Sequence, residues 1–246
     1  MATKTKSEVK VDIKPTGAES AVVYAPFDEA LEALTENGYD VISLSENARL
    51  RIQQGKDSYI SRNGNWTREG VLYVPKKGIF LTRNSPIMQN PIEATQAHRN
   101  GKEYLLTDEQ VEQGLQNSVE LSGKDIPTNR FGENEITRYA FGEVAEQYGN
   151  FLREAGIKEM LVWLTNVSNK PFSRQMWFGA LGGGSGLVGG GLGGGGGGYW
   201  LRGVKTKTSE AGSQISAEGY GQKAISKALK ELGLSGLEKT LLERLK

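Results

Sequence analysis

Apolar and polar positions alternate along the chain in short blocks that predict strands and amphipathic helices without a regular repeat. Val9-Lys-Val-Asp-Ile13 alternates strictly, which predicts either an edge strand or a frayed tail within residues 1–19. Ala21-Val-Val-Tyr-Ala25 is a continuous apolar run of strand length. Pro26 follows where the first turn of a helix tolerates it, with Asp28 and Glu29 near that helix's positive end and Asn37-Gly38 as its stop. A second strand, Val41-Ile-Ser-Leu44, runs into Ser45, a capping type for a helix ending at Gly55.

Residues 59–83 read as a three-stranded meander. Asn63-Gly64 supplies one turn, because both residues tolerate positive φ, and residues 75–78 supply the next. Pro91 opens a helix that stops at Asn100-Gly101, and Thr107-Asp-Glu-Gln110 has the form of a capping box. Ile136, Ala140, Val144, Tyr148, Phe151, Leu152 and Ala155 keep one stripe, which predicts a single long helix over residues 133–155. Residues 160–164 and 175–178 read as buried strands. Residues 217–246 read as helical, with Ile225, Ala228, Leu229 and Leu232 on one face and a second capping box at Ser235-Gly-Leu-Glu238.

The fold class that follows is α+β: a mixed sheet with a three-stranded meander, a long central helix and C-terminal amphipathic helices. The expected organisation is a tail or edge strand at 1–19, a domain at 20–210 and a helical segment at 214–246.

Glycine changes this picture over residues 179–198, which hold 14 of the 33 glycines and end in six consecutive ones. Only Leu181, Leu187, Val188 and Leu192 offer apolar side chains there, too few to repay the ordering of so permissive a backbone. Anything that fixes the segment must come from outside it. The expectation is a flexible loop between two aromatic strands; a glycine surface that lets another backbone approach closely is the other reading. Trp177, Phe178, Tyr199, Trp200 and Arg202 flank the segment and are the expected binding residues for a ligand or partner. Gly184-Ser-Gly-Leu-Val-Gly189 satisfies the spacing of a dinucleotide loop, but more glycine and then a strand follow where that motif needs a helix.

Charge points to a second function. The chain carries 30 Lys+Arg against 29 Asp+Glu, a formal charge of +1, so no global affinity for polyanions follows. Residues 45–83 nevertheless hold 8 basic and 3 acidic side chains, whereas residues 91–160 hold 7 and 13. Arg62, Trp66, Arg68, Lys76, Lys77 and Arg83 could form a surface for RNA or single-stranded DNA, cations tracking phosphates and rings stacking on bases.

Candidate chemistry is sparse. There is no cysteine, which excludes disulfides, iron–sulfur clusters and thiolate metal sites. The one histidine, His98, has no nucleophile elbow near it, and no phosphate-loop motif occurs. Glu143 and Glu146 stand three apart on the predicted long helix without a second pair to complete a metal site. Such a chain reads as a non-enzymatic binding or interaction module without a cofactor, although an enzyme assembled from distant residues would leave no local spacing. Its expected partner is a protein, or a second copy through the C-terminal helices, with nucleic acid as the alternative. No apolar run reaches the roughly 20 residues of a membrane helix, and no apolar stretch follows the first residues, so a cytoplasmic protein is the default expectation.

Overall fold

The computed structural model of the protein describes residues 13–16, 19–190, 192 and 200–205. β1 (Ile13–Pro15) pairs antiparallel with β2 (Ser20–Tyr24), and α1 (Phe27–Glu36), β3 (Tyr39–Val41), α2 (Leu44–Gln54) and the one-turn α3 (Tyr59–Arg62) follow. The hairpin of β4 (Asn65–Val74) and β5 (Gly78–Thr82) leads to α4 (Pro86–Gln89), α5 (Pro91–Arg99), β6 (Tyr104–Leu105), α6 (Asp108–Leu115) and β7 (Ser118–Glu120). After β8 (Ile126–Pro127) come α7 (Glu135–Phe141), α8 (Ala145–Glu154), β9 (Glu159–Met160), β10 (Val162–Trp163), β11 (Phe172–Phe178), β12 (Leu187–Gly190) and β13 (Trp200–Lys205).

These elements make an α+β fold around one large mixed sheet. Its main path runs β1-β2-β13-β4-β11-β12-β10, with β5 on β4, β7 on β5, β6 on β11 and β3 on β13. The β13–β4 and β10–β12 pairs are parallel and the others in this sheet antiparallel, while β8 and β9 form a separate ribbon. β4 sits inside the sheet, so its apolar run feeds both faces. Val71 and Tyr73 enter a core with α2, α7 and α8, whereas Leu72 and Val74 enter a second core with α1, α5 and α6.

Local chemistry explains where the helices start. Ser43, two residues before the expected cap, receives the Glu46 N–H at 3.1 Å while Glu46 Oε2 accepts from the Ser43 N–H at 2.8 Å. Thr107 and Gln110 make the expected capping box on α6, and Pro91 opens α5.

The meander and the long helix both differ from expectation. Residues 59–62 are helical, not the first strand of a meander. The Ser58 and Ser61 hydroxyls both donate to Gly55 O at 2.8 Å and close a turn there. Asn63-Gly64 therefore makes no hairpin, and Gly64 serves close approach instead, since a Cβ on it would lie 2.7 Å from the Trp177 indole. The third strand of that patch is β7, from residues 118–120. The long helix over residues 133–155 is two helices, α7 and α8, separated at Gly142, whose φ of +59° ends the first.

The glycine segment departs furthest from expectation. Instead of a flexible loop, its described part turns once at 181–183 and becomes β12, held between β11 and β10. A Cβ on Gly189 would lie 2.1 Å from Tyr73 Oη, and one on Gly186 would lie 3.1 Å from Leu161 O. Glycine here permits close approach to neighbouring strands, which supply from outside what the segment lacks. Residues 193–199 and the predicted helical segment at 214–246 lie outside the described residues. No helix among the described residues is long and apolar enough to cross a membrane.

Candidate functional site

β10 is a short strand at one end of the sheet path. Val162 points into the core at 4% exposure, so alternation turns the next side chain, Trp163, outward at 60%. Asp125 Oδ1 accepts from the Val162 N–H at 2.9 Å and fixes the strand on its free side. Trp163 stands at a cleft of about 400 Å³, with Ile79 and residues 121–123 on one wall and residues 162–166 on the other. Ligand pockets begin at roughly this size, about 300 Å³.

The second wall is held from beneath. Tyr73 stacks on Phe172 with ring centroids 4.4 Å apart, and its hydroxyl donates to Gly189 O at 3.3 Å while lying 3.4 Å from the Thr165 N–H. Burial pushes the Tyr73 phenol above its ordinary range, which keeps it the protonated donor this bridge requires. Arg174 joins the same support. Its Nε and Nη2 grip the two carboxylate oxygens of Glu103, and its Nη1 donates to Gly189 O at 3.3 Å. The cleft thus combines an aromatic platform, apolar walls from Ile79, Leu121 and Leu164, and polar edges from Ser122, Thr165 and Asn166. None of its lining side chains is charged, so the arrangement suits a neutral ligand.

The expected binding residues do not form one surface. Trp177 is half-buried and meets Trp66 edge-on at 4.5 Å, Phe178 lies in the core, and Arg202 is 1% exposed. Trp200 is half-buried and meets its cross-strand partner Tyr24 edge-on at 5.1 Å, with Tyr24 51% exposed. Tyr199 lies outside the described residues. Arg202 belongs to an interior polar seam: Nε donates to Asn65 Oδ1 at 3.2 Å, Nη1 donates to Thr16 Oγ1 at 2.6 Å, and Asn47 Nδ2 donates to the same Asn65 oxygen at 2.8 Å. Burial lowers its guanidinium to about 10; Tyr59 opposes that shift and Arg51 adds to it.

The basic stretch is also dispersed. Trp66 is 3% exposed, so its ring is a core group. Arg62 pairs with Asp57 at 2.8 Å and Arg68 with Glu46 at 2.6 Å. Lys76 and Lys77 are exposed at the β4–β5 turn, and exposed Arg83 covers the Tyr139 ring at 4.7 Å. His98 is kept below its usual range by burial, against the opposing charge of Glu103. Among the described residues, no three His, Asp or Glu side chains are grouped to hold a metal ion.

Sequence reasoning missed Trp163 because residues 160–164 look like one buried strand. The signal was the polar Thr165-Asn166 directly after it, which marks a strand end where every second side chain can face solvent. It also missed Arg51, although Leu44, Asn47, Ala48 and Arg51 share one helical face and all are buried.

No protein-family model matches the chain, and no curated protein is similar to it. A solved structure described as "Accommodation of massive sequence variation in Nanoarchaeota by the C-type lectin fold" superposes with a TM-score of 0.57 at 17% identity, over 77% of this chain and 99% of that one. The likeness is one of fold: this chain is similar to a protein built on the C-type lectin fold.

Proposed function

We propose that the protein is a non-enzymatic binding module that seats a neutral ligand against Trp163. The ligand has one flat apolar face and hydroxyl or amide groups at its edge. The observation that carries this reading is an indole 60% exposed at a cleft whose wall beside it, residues 162–166, is pinned to the sheet through Tyr73 and Gly189. An exposed aromatic of this size on a rigid support loses little conformational freedom on binding and desolvates a large area. The similarity to a fold described as accommodating massive sequence variation supports the division of labour, with a fixed scaffold below and a binding surface above.

A second reading rests on the Tyr24–Trp200 pair, at the start of β13 and close in sequence to the glycine segment. On that reading the aromatic surface beside the segment receives a protein partner.

One experiment separates the two. The whole protein, Trp163→Ala and Trp200→Ala are applied to arrays of neutral glycans and uncharged peptides. The proposal expects a bound class that Trp200→Ala retains and Trp163→Ala loses at least about tenfold, the equivalent of 1.4 kcal/mol. Loss with Trp200→Ala alone transfers the function to the second surface. Equal retention by both variants overturns both readings.

A further inference from the structure

Arg51, on the last turn of α2, is 0% exposed. Its Nη1 donates to Tyr148 Oη and to Ser185 Oγ, each at 3.1 Å, and those two hydroxyls lie 2.7 Å apart. Its guanidinium carbon lies 4.1 Å from the centroid of the Phe178 ring. Among the described residues, Nε and Nη2 have no hydrogen-bond partner. The ion pairs among the described residues use Arg62, Arg68, Arg99, Arg130 and Arg174, so none of those carboxylates neutralises Arg51. A buried guanidinium with neither a counter-charge nor partners for two donors is strongly disfavoured.

The two unpartnered nitrogens make up one edge of the guanidinium, the edge that grips a planar oxyanion through two parallel hydrogen bonds. Arg174 uses the same edge, Nε and Nη2, to hold both oxygens of Glu103. The neighbouring backbone is unusual as well. Ser185 has φ of +52° although it is not glycine, a conformation that surrounding contacts must enforce. The turn before it exposes Gly182 and Gly183, around which a Cβ would meet nothing within 4 Å.

We propose that the Nε–Nη2 edge of Arg51 is a binding site for a small planar oxyanion, a carboxylate or an inorganic anion of the same fork geometry. Tyr148 and Ser185 hold the guanidinium in place by its other nitrogen, and Phe178 fixes its plane. The site is independent of the Trp163 cleft and stands whether or not that cleft binds a ligand.

The test is thermal unfolding of the whole protein at fixed ionic strength, with formate or nitrate substituted for chloride, in the wild type and in Arg51→Met. The wild type is expected to gain a saturable rise in Tm, half-saturating several-fold lower for formate and nitrate than for spherical chloride; Arg51→Met loses that rise. An identical anion response in the two proteins overturns the proposal. Because Arg51→Met removes the anchor of two hydroxyls and could fail to fold, the wild type is also titrated with formate by nitrogen-15 NMR. A saturable movement of the Arg51 Nε–H resonance, with that of Arg174 unmoved, supports the site. A static Arg51 resonance refutes it.

Discussion

Replacing Gly189 with alanine would place a methyl carbon 2.1 Å from Tyr73 Oη, well inside contact distance. Tyr73 has little freedom to retreat: it is 0% exposed and its ring lies 4.4 Å from Phe172, 1° from parallel. The substitution would therefore overpack the interior, at about 1–3 kcal/mol, and break the hydroxyl's bond to Gly189 O, worth about 1 kcal/mol. A total near 2–4 kcal/mol corresponds to a drop in Tm of roughly 5–15 °C for a domain of this size. Tyr73→Phe removes the obstructing oxygen, and the next atom, Tyr73 Cζ, lies 3.3 Å from the added carbon. The double variant should thus be more stable than Gly189→Ala alone, a sign reversal that only direct contact produces. Urea unfolding of the four proteins gives the cycle, and Gly183→Ala is the control, because nothing lies within 4 Å of its Cβ position. A cost for Gly189→Ala no larger than that of the control, or no recovery in the double variant, would refute the placement of this glycine inside the sheet.

Three further outcomes follow from the same packing. Glu69 is 4% exposed and accepts from the Leu44 N–H at 3.1 Å through both oxygens, and burial raises its carboxyl above the ordinary value of 4.5. A carboxyl raised on folding favours the native state below pH 4.5 and withdraws that stability as pH climbs through its native value. Urea unfolding should therefore show wild type losing stability relative to Glu69→Gln across that rise; a parallel pH profile for the two contradicts it. Trp163→Ala should leave Tm within about 1–2 °C, as an exposed side chain does, while removing the emission most accessible to acrylamide. Substituting Gly142 with alanine, where φ is +59° and ψ is −133°, should destabilise the junction of α7 and α8 by about 1–3 kcal/mol, measured by the same unfolding assay.

Much of the fold is legible because it is local. The turn between β4 and β5 follows from Pro75 and Gly78, the start of α5 from Pro91, and the start of α6 from Thr107 and Gln110, each within a few residues of the element it shapes. The illegible parts depend on distant partners. Gly189 is required by Tyr73, 116 residues away, and nothing in the glycine segment announces that neighbour. Tyr59 and Ile60 are strand-prone types just before the Asn63-Gly64 turn signal, but the carbonyl of Gly55 collects two serine hydroxyls and closes a turn first. The candidate site shows the same division. Trp163 is exposed because β10 lies at one end of the sheet path, a property of strand order that composition does not carry. Trp177 and Phe178 share the aromatic character that suggested binding, yet β11 lies between β4 and β12 and draws Phe178 fully inside.

Amide hydrogen exchange over residues 187–190 is the decisive measurement, since β12 must be an interior strand if it is to brace the wall beside Trp163. Protection equal to that of β4 and β11, led by the Leu187 amide that donates to Leu161 O at 2.8 Å, is the predicted result. Exchange there as fast as at exposed Gly182 and Gly183 would contradict it.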